Sequence, residues 1–248
     1  MDYYDPTTYG ERIADVYDEM YADMPFLGDV DATVGFIRDL AGDGPVLELG
    51  IGTGRVAIPL RASGVEVHGI DASEAMVARL RAKPGGEDVP VTLGDFADFA
   101  LENRFRVTYV VFNTFFALLS QGEQVSCFRA VARHLTRDGV FVMEAFVPDV
   151  ARFVRGQNVS AVRADTDGVT LEISTHRAIE QRTDSQRVIL REEGIRLYPV
   201  RIRYAFVSEL DLMAQLAGMR LRERWADWDR TPFGEGAGKH VSVWHLEP

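Results

Sequence analysis

The run Val46-Leu47-Glu48-Leu49-Gly50-Ile51-Gly52-Thr53-Gly54-Arg55 sets an apolar segment against three alternate glycines. Glycine permits a tight turn and lets a ligand lie on bare backbone, and the first N–H groups of a following helix would face that ligand without partners. A nucleotide-like ligand is implied. In the dinucleotide fingerprint G-x-G-x-x-G the last glycine takes the sixth position, where this chain has Arg55, and Gly54 comes one residue early. That spacing argues against NAD. Glu48 precedes the first glycine, where a carboxylate repels a pyrophosphate and attracts an ammonium or sulfonium. Asp71 follows Gly52 by 19 residues, the place where α/β nucleotide sites put an acid for ribose hydroxyls. Gly94-Asp95-Phe96 offers a carboxylate to an exocyclic amine and a ring to stack on a base. Together these describe adenosine carrying a positively charged amino-acid tail.

Such residues need a scaffold. Short Val/Ile/Leu-rich runs at 45–50, 65–70, 89–93, 106–112 and 139–146 alternate with helical patterns at 54–62, 73–82 and 121–136, the sequence form of a parallel sheet covered by helices. Ser73 reads as an N-cap and Asp138-Gly139 as a helix stop. Two helical patterns, 8–22 and 29–41, precede the first strand and are expected to form a flap. From 159 to 204 the pattern alternates, as in Val169-Thr170-Leu171-Glu172-Ile173-Ser174, which predicts antiparallel strands with one wet face. A helix over 208–218 and strands over 219–226 and 240–246 return to the α/β pattern. The expected division is a flap (1–44), a cofactor-binding core (45–150), an antiparallel insert (151–205) and completion of the core (206–248).

The chain resembles the class I S-adenosylmethionine-dependent methyltransferases over nearly its whole length. The resemblance rests on Glu48 to Gly54, on Gly69-Ile70-Asp71-Ala72-Ser73-Glu74-Ala75-Met76, on Gly94-Asp95-Phe96, and on Leu135-Thr136-Arg137-Asp138-Gly139-Val140. It implies a Rossmann-like seven-stranded α/β fold with S-adenosylmethionine as cofactor. Glu48 and the Gly50, Gly52, Gly54 loop with Arg55 would hold the methionyl end, and Asp71 with Ala72 the ribose. Met76 and Phe96 would flank the adenine, Asp95 would reach its amino group, and Asn113 and Thr114 would line the edge nearest the substrate. Tyr17-Asp18-x-x-Tyr21, the insert, and Trp228-Asp229-x-x-Thr231-Pro232-Phe233 look most like small-molecule members such as the nucleotide-linked amino-sugar N-methyltransferases.

Composition narrows the partners. With 27 Lys+Arg against 38 Asp+Glu, the charge of −11 disfavours a grip on nucleic acid, which needs clustered cations. Residues 1–150 carry 12 basic and 24 acidic residues, and residues 151–248 carry 15 and 14, so the insert lies in the cation-richer part. No apolar run reaches the ~18 residues of a membrane span, and one cysteine, Cys127, excludes an internal disulfide or a Cys-based zinc cluster. No metal site is read. A cytoplasmic protein is expected, acting on a small-molecule acceptor, with a homodimer through the insert as a possible assembly.

His176, His240, Glu144 and Tyr17 are the candidates for a general base, and Tyr17 also for covering the cofactor. The acceptor pocket is expected under the insert, lined by His176 and a subset of Arg163, Arg177, Arg201 and Arg203, to suit a phosphate or carboxylate. Three functions stay open: N-methylation of a small metabolite, O- or C-methylation of a natural-product scaffold, and non-catalytic binding of the cofactor.

Overall fold

A computed structural model describes residues 7–22 and 30–247. The expected flap therefore lies partly outside the described residues, at 1–6 and 23–29. Among the described residues the helices are α1 (Thr8–Ile13), α2 (Tyr17–Ala22), α3 (Val30–Ala41), α4 (Ala57–Ala62), α5 (Glu74–Arg81), α6 (Gln121–His134) and α7 (Val207–Leu216). The strands are β1 (Val46–Leu49), β2 (Val67–Asp71), β3 (Val91–Leu93), β4 (Phe105–Val110), β5 (Leu135–Phe146), β6 (Gln157–Ala164), β7 (Gly168–Arg177), β8 (Arg182–Arg191), β9 (Gly194–Arg203), β10 (Met219–Trp225) and β11 (Lys239–Leu246).

Seven strands form one sheet in the order β10-β11-β5-β4-β1-β2-β3. β1 to β5 pair parallel, and β11 pairs antiparallel to both β5 and β10. β1 is buried along its whole length, as a central parallel strand covered on both faces must be. On one face Leu47, Leu49, Phe128, Phe141 and Trp244 pack with α6 and α7; on the other Val46, Val107 and Tyr109 pack with α3 and α4. The chain thus has the expected seven-stranded fold, with a separate antiparallel sheet β6-β7-β8-β9 after the fifth strand.

Three boundaries differ from the sequence reading. α3 is not part of a flap: Phe36 and Ile37 are buried against the sheet and Phe36 meets Trp228 edge-on at 5.4 Å, so its apolar stripe belongs to the core. α6 opens on a reciprocal Ser120–Glu123 cap and ends at His134, not at Asp138-Gly139. Leu135 already pairs with Phe105, and Asp138-Gly139 lies in an irregularity of β5 before Val140 pairs with Val107. The capping of α5 by Ser73, which accepts from the Met76 N–H, is as expected.

Candidate active site

The glycine loop starts from a braced strand. Glu48 is 3% exposed, and its Oε2 accepts from the hydroxyl of Tyr109, its register partner on β4, at 2.9 Å. The Ala57 backbone, where α4 starts, favours the charged form of this carboxyl. Burial pushes the Glu48 pKa up to about 8, against the opposing pulls of the Tyr109 bond and the Arg55 charge. Glu48 therefore supports the root of the loop from beneath and does not lie open to a ligand's tail as the sequence suggested.

Gly50, Gly52 and Gly54 all have positive φ (68°, 56° and 79°), which side-chain-bearing residues resist. The loop is tied to β2, because the Gly52 N–H donates to Asp71 Oδ2 at 2.7 Å while the Ser73 N–H donates to Oδ1 at 2.9 Å. Burial raises the pKa of Asp71 and these backbone bonds lower it. Each oxygen retains acceptor capacity for a ribose hydroxyl. A Cβ at Gly52 would meet only the Gly50 carbonyl, at 3.9 Å, and one at Gly94 would meet nothing within 4 Å, so a ligand has room over both. A Cβ on Gly50, by contrast, would lie 2.4 Å from the Thr114 methyl and 3.7 Å from the Phe96 ring. Half-buried Ala72 sits between the two anchors, Asp71 and Ser73. Phe96 is buried beside the loop, while exposed Asp95 turns Oδ1 to its own Ala97 N–H at 2.8 Å.

The flap lies on this loop. Thr53, 1% exposed, donates its hydroxyl to Asp18 Oδ1 of α2 at 2.7 Å. Lys83 joins them, with its Nζ 2.7 Å from Asp18 Oδ2 and 2.9 Å from the Thr53 carbonyl oxygen. Arg79 pairs with Asp15, and a Cβ at Gly10 would lie 2.5 Å from that of Ser73, so α1 rests directly on the start of α5. Met76 is buried with Ile13, Ala14 and Tyr198, and half-buried Tyr17 and Met20 pack on that cluster. The contact of Asp18, Thr53 and Lys83 escaped the sequence reading because it joins segments far apart in the chain.

The candidate bases end in different places. His240 is fully buried on β11; its Nδ1 pairs with Ser242 Oγ at 2.8 Å, and burial pushes its pKa down to about 3, which makes it a poor proton acceptor. Glu144 is 5% exposed and committed, taking Lys239 Nζ on Oε1 at 2.9 Å and the Phe112 N–H on Oε2 at 3.1 Å. His176 is half-buried, with Nε2 2.8 Å from the Tyr204 hydroxyl and its ring stacked on Phe153 at 4.5 Å. Tyr204 belongs to the core cluster of Phe115 and Phe116, the residues that follow Thr114 after β4, and burial raises its pKa.

The arginines do not converge with His176. By register His176 faces Thr183 and Ile202, the side of the insert that packs on the flap and the core, whereas Arg201 pairs across from Asp184 and Thr175 on the other side. All four are paired: Arg163 with Asp165, Arg177 with Glu180, Arg201 with Asp184, and Arg203 with Glu209. Alternation puts Arg177, Arg201 and Arg203 on the face opposite His176, while Arg163, across from Thr170 on the His176 face, stands six residues further along β7.

Bare backbone at Gly52 and Gly94 and the acceptor capacity of Asp71 suit a nucleoside with free ribose hydroxyls. This site at the carboxyl ends of a doubly wound sheet defines a nucleotide-cofactor enzyme of the α/β class. A methyltransferase domain model matches residues 46–139. The structure of the CcbJ methyltransferase from Streptomyces caelestis superposes with a TM-score of 0.93 at 44% identity, covering 99% of this chain and 100% of that one. The cypemycin N-terminal methyltransferase of a Streptomyces species is 28% identical over 88% of this chain and 89% of its own. The dTDP-4-amino-2,3,4,6-tetradeoxy-D-glucose N,N-dimethyltransferase of Saccharopolyspora spinosa is 28% identical over 73% of each. The chain belongs to the S-adenosylmethionine-dependent methyltransferases, and S-adenosylmethionine is its methyl donor. No helix among the described residues is long and apolar enough to cross a membrane.

Proposed function

We propose that this enzyme methylates the nitrogen of an amine on a small molecule of secondary metabolism, working in the cytoplasm. The observation that carries the reading is the cypemycin relative, named for methylation at an N-terminus and aligned over 88% of this chain. The sugar N,N-dimethyltransferase points the same way.

Bound S-adenosylmethionine supplies a methyl group on a sulfonium, whose sulfur leaves as a neutral thioether. The protein's task is alignment and exclusion of water, a source worth roughly 7–11 kcal/mol in well-oriented systems. In this reading Asp71 holds the ribose, Met76 and Phe96 sandwich the adenine, and the flap closes over the loop through Asp18. An ammonium must first give up a proton before its lone pair can attack. His176, hydrogen-bonded to Tyr204 above the Phe115–Phe116 turn, takes that proton in our assignment, because His240 and Glu144 are sequestered. The outward face of the insert leaves Val159, Ile173, Ile195 and Leu197 41–66% exposed, and we assign it to a homodimer contact.

The test is to incubate the enzyme with methyl-labelled cofactor and a panel of amino sugars and peptide amines, and to locate the label by mass spectrometry. Label on nitrogen, with kcat reduced about a hundredfold or more in His176→Gln, is the expected result. Label only on oxygen or carbon would replace this reading by the alternative of a scaffold O- or C-methyltransferase.

A further inference from the structure

The turn after β4 is held in a conformation that its residues disfavour. Phe112 and Asn113 both have positive φ, 67° and 63°. Asn tolerates this region, but a bulky aromatic residue there is an outlier that its surroundings must enforce. Those surroundings are specific. The Phe112 N–H donates to Glu144 Oε2 at 3.1 Å, the Asn113 N–H to the Glu144 carbonyl at 3.3 Å, and the Phe146 N–H to Asn113 Oδ1 at 2.7 Å. Glu144 is in turn fixed by Lys239 of β11, Nζ to Oε1 at 2.9 Å.

The product of this enforcement is a wall against the glycine loop. The Phe112 ring lies under the Arg55 guanidinium, 4.1 Å from its centre, and Arg55 is the residue directly after Gly54. Two residues along the turn, the Thr114 methyl closes on Gly50. Lys239 is one of only two lysines among 27 basic residues, and the other, Lys83, secures the flap to the same loop at Thr53. Lysine places a compact charge with three donors, whereas arginine's planar fork demands a longer, bidentate partner.

We propose that Glu144, tethered by Lys239, is a positioning residue. It holds Phe112 left-handed so that Phe112 and Thr114 keep the Gly50–Arg55 loop in its cofactor-binding form. Glu144 touches neither cofactor nor acceptor, which explains how a buried carboxylate at the end of the fifth strand serves the site without transferring a proton.

Calorimetry with S-adenosylhomocysteine tests this without any acceptor. Glu144→Ala should weaken binding tenfold or more, Lys239→Met about three- to fivefold, and Glu144→Gln, which keeps an acceptor oxygen for the Phe112 N–H, less than threefold. The decisive arm is a cycle with Phe112→Gly, since glycine adopts positive φ freely. In that background Glu144→Ala should cost no more than a further twofold. A full tenfold loss in the Phe112→Gly background would overturn the proposal, because Glu144 would then act through something other than this turn. So would Glu144→Ala that melts earlier yet binds within twofold of wild type. Should Glu144→Ala fail to fold, Lys239→Met decides: unchanged affinity overturns the proposal.

Discussion

The end of the parallel sheet that carries the glycine loop and the insert β6–β9 above it place their polar groups by different means. At the loop, Asp71, Glu144 and Asn113 each take a backbone N–H from a neighbouring strand end, so position is dictated by strand register within about a hundred residues of chain. In the insert most polar pairs are side chain to side chain, as with Ser174 and Ser185 at 2.8 Å or His176 and Tyr204, and which face they reach depends on packing against the flap and α6. Backbone-anchored carboxylates make a site whose ligand can be named from residue types. Side-chain pairs on a two-faced sheet make one that can change its acceptor by changing a few residues.

The strongest challenge to this contrast comes from Glu48. The folded carboxyl titrates at about 8 and the free one at 4.5, so between these values the native chain holds a proton that the unfolded chain has released. Stability from this group is complete below 4.5 and is lost as pH rises through 8, on the order of a few kcal/mol. Glu48→Gln, uncharged throughout, should flatten the fall in denaturation midpoint between about pH 5 and about pH 9. An identical slope in the variant would show that Glu48 is not the buried acid described here.

Asp71→Ala should weaken S-adenosylhomocysteine by ~1.5–3 kcal/mol, since it removes both charge-assisted bonds to ligand and the tether on Gly52. Unchanged affinity by calorimetry would mean that the ribose sits elsewhere and that anchoring to backbone does not mark the ligand site.

A smaller effect is expected where the flap meets the loop. Thr53→Val deletes the donor to Asp18 at nearly constant volume and should loosen the flap by ~1 kcal/mol. Limited proteolysis should cut within residues 7–22 faster in the variant, with S-adenosylhomocysteine slowing cleavage of the wild type more. Equal cleavage with and without ligand would argue against a lid.

The smallest effect on the site belongs to Arg201→Met. Arg201 stands across from Asp184 on the face opposite His176, so KM should not move; the pair is only 12–15% exposed, so leaving Asp184 without its closest cation should instead lower stability, by about 3 kcal/mol. A several-fold rise in KM would show that the outward face of the insert, not the inward one, meets the acceptor.

Residue types and spacing alone determined the parallel α/β core, the glycine loop and the acid at the second strand's end, and the family resemblance carried by those motifs supplied the cofactor. They did so because strand–turn–helix segments are local: the turn glycines, the N-cap at Ser73 and the carboxylate at a strand end lie within about 25 residues of one another. The antiparallel insert was legible for the same reason, as two-residue alternation broken by turn residues. Tertiary structure decided everything that needed two distant segments or the choice of a face. It assigned α3 to the core, buried Glu48 against Tyr109 and Glu144 against Lys239, and sealed His240 inside β11. It also put His176 and Arg201 on opposite sides of one sheet. A strand's alternation says that neighbours face apart, but only the body packed against the sheet, here the flap and the Phe115–Phe116 turn, determines which face is inside.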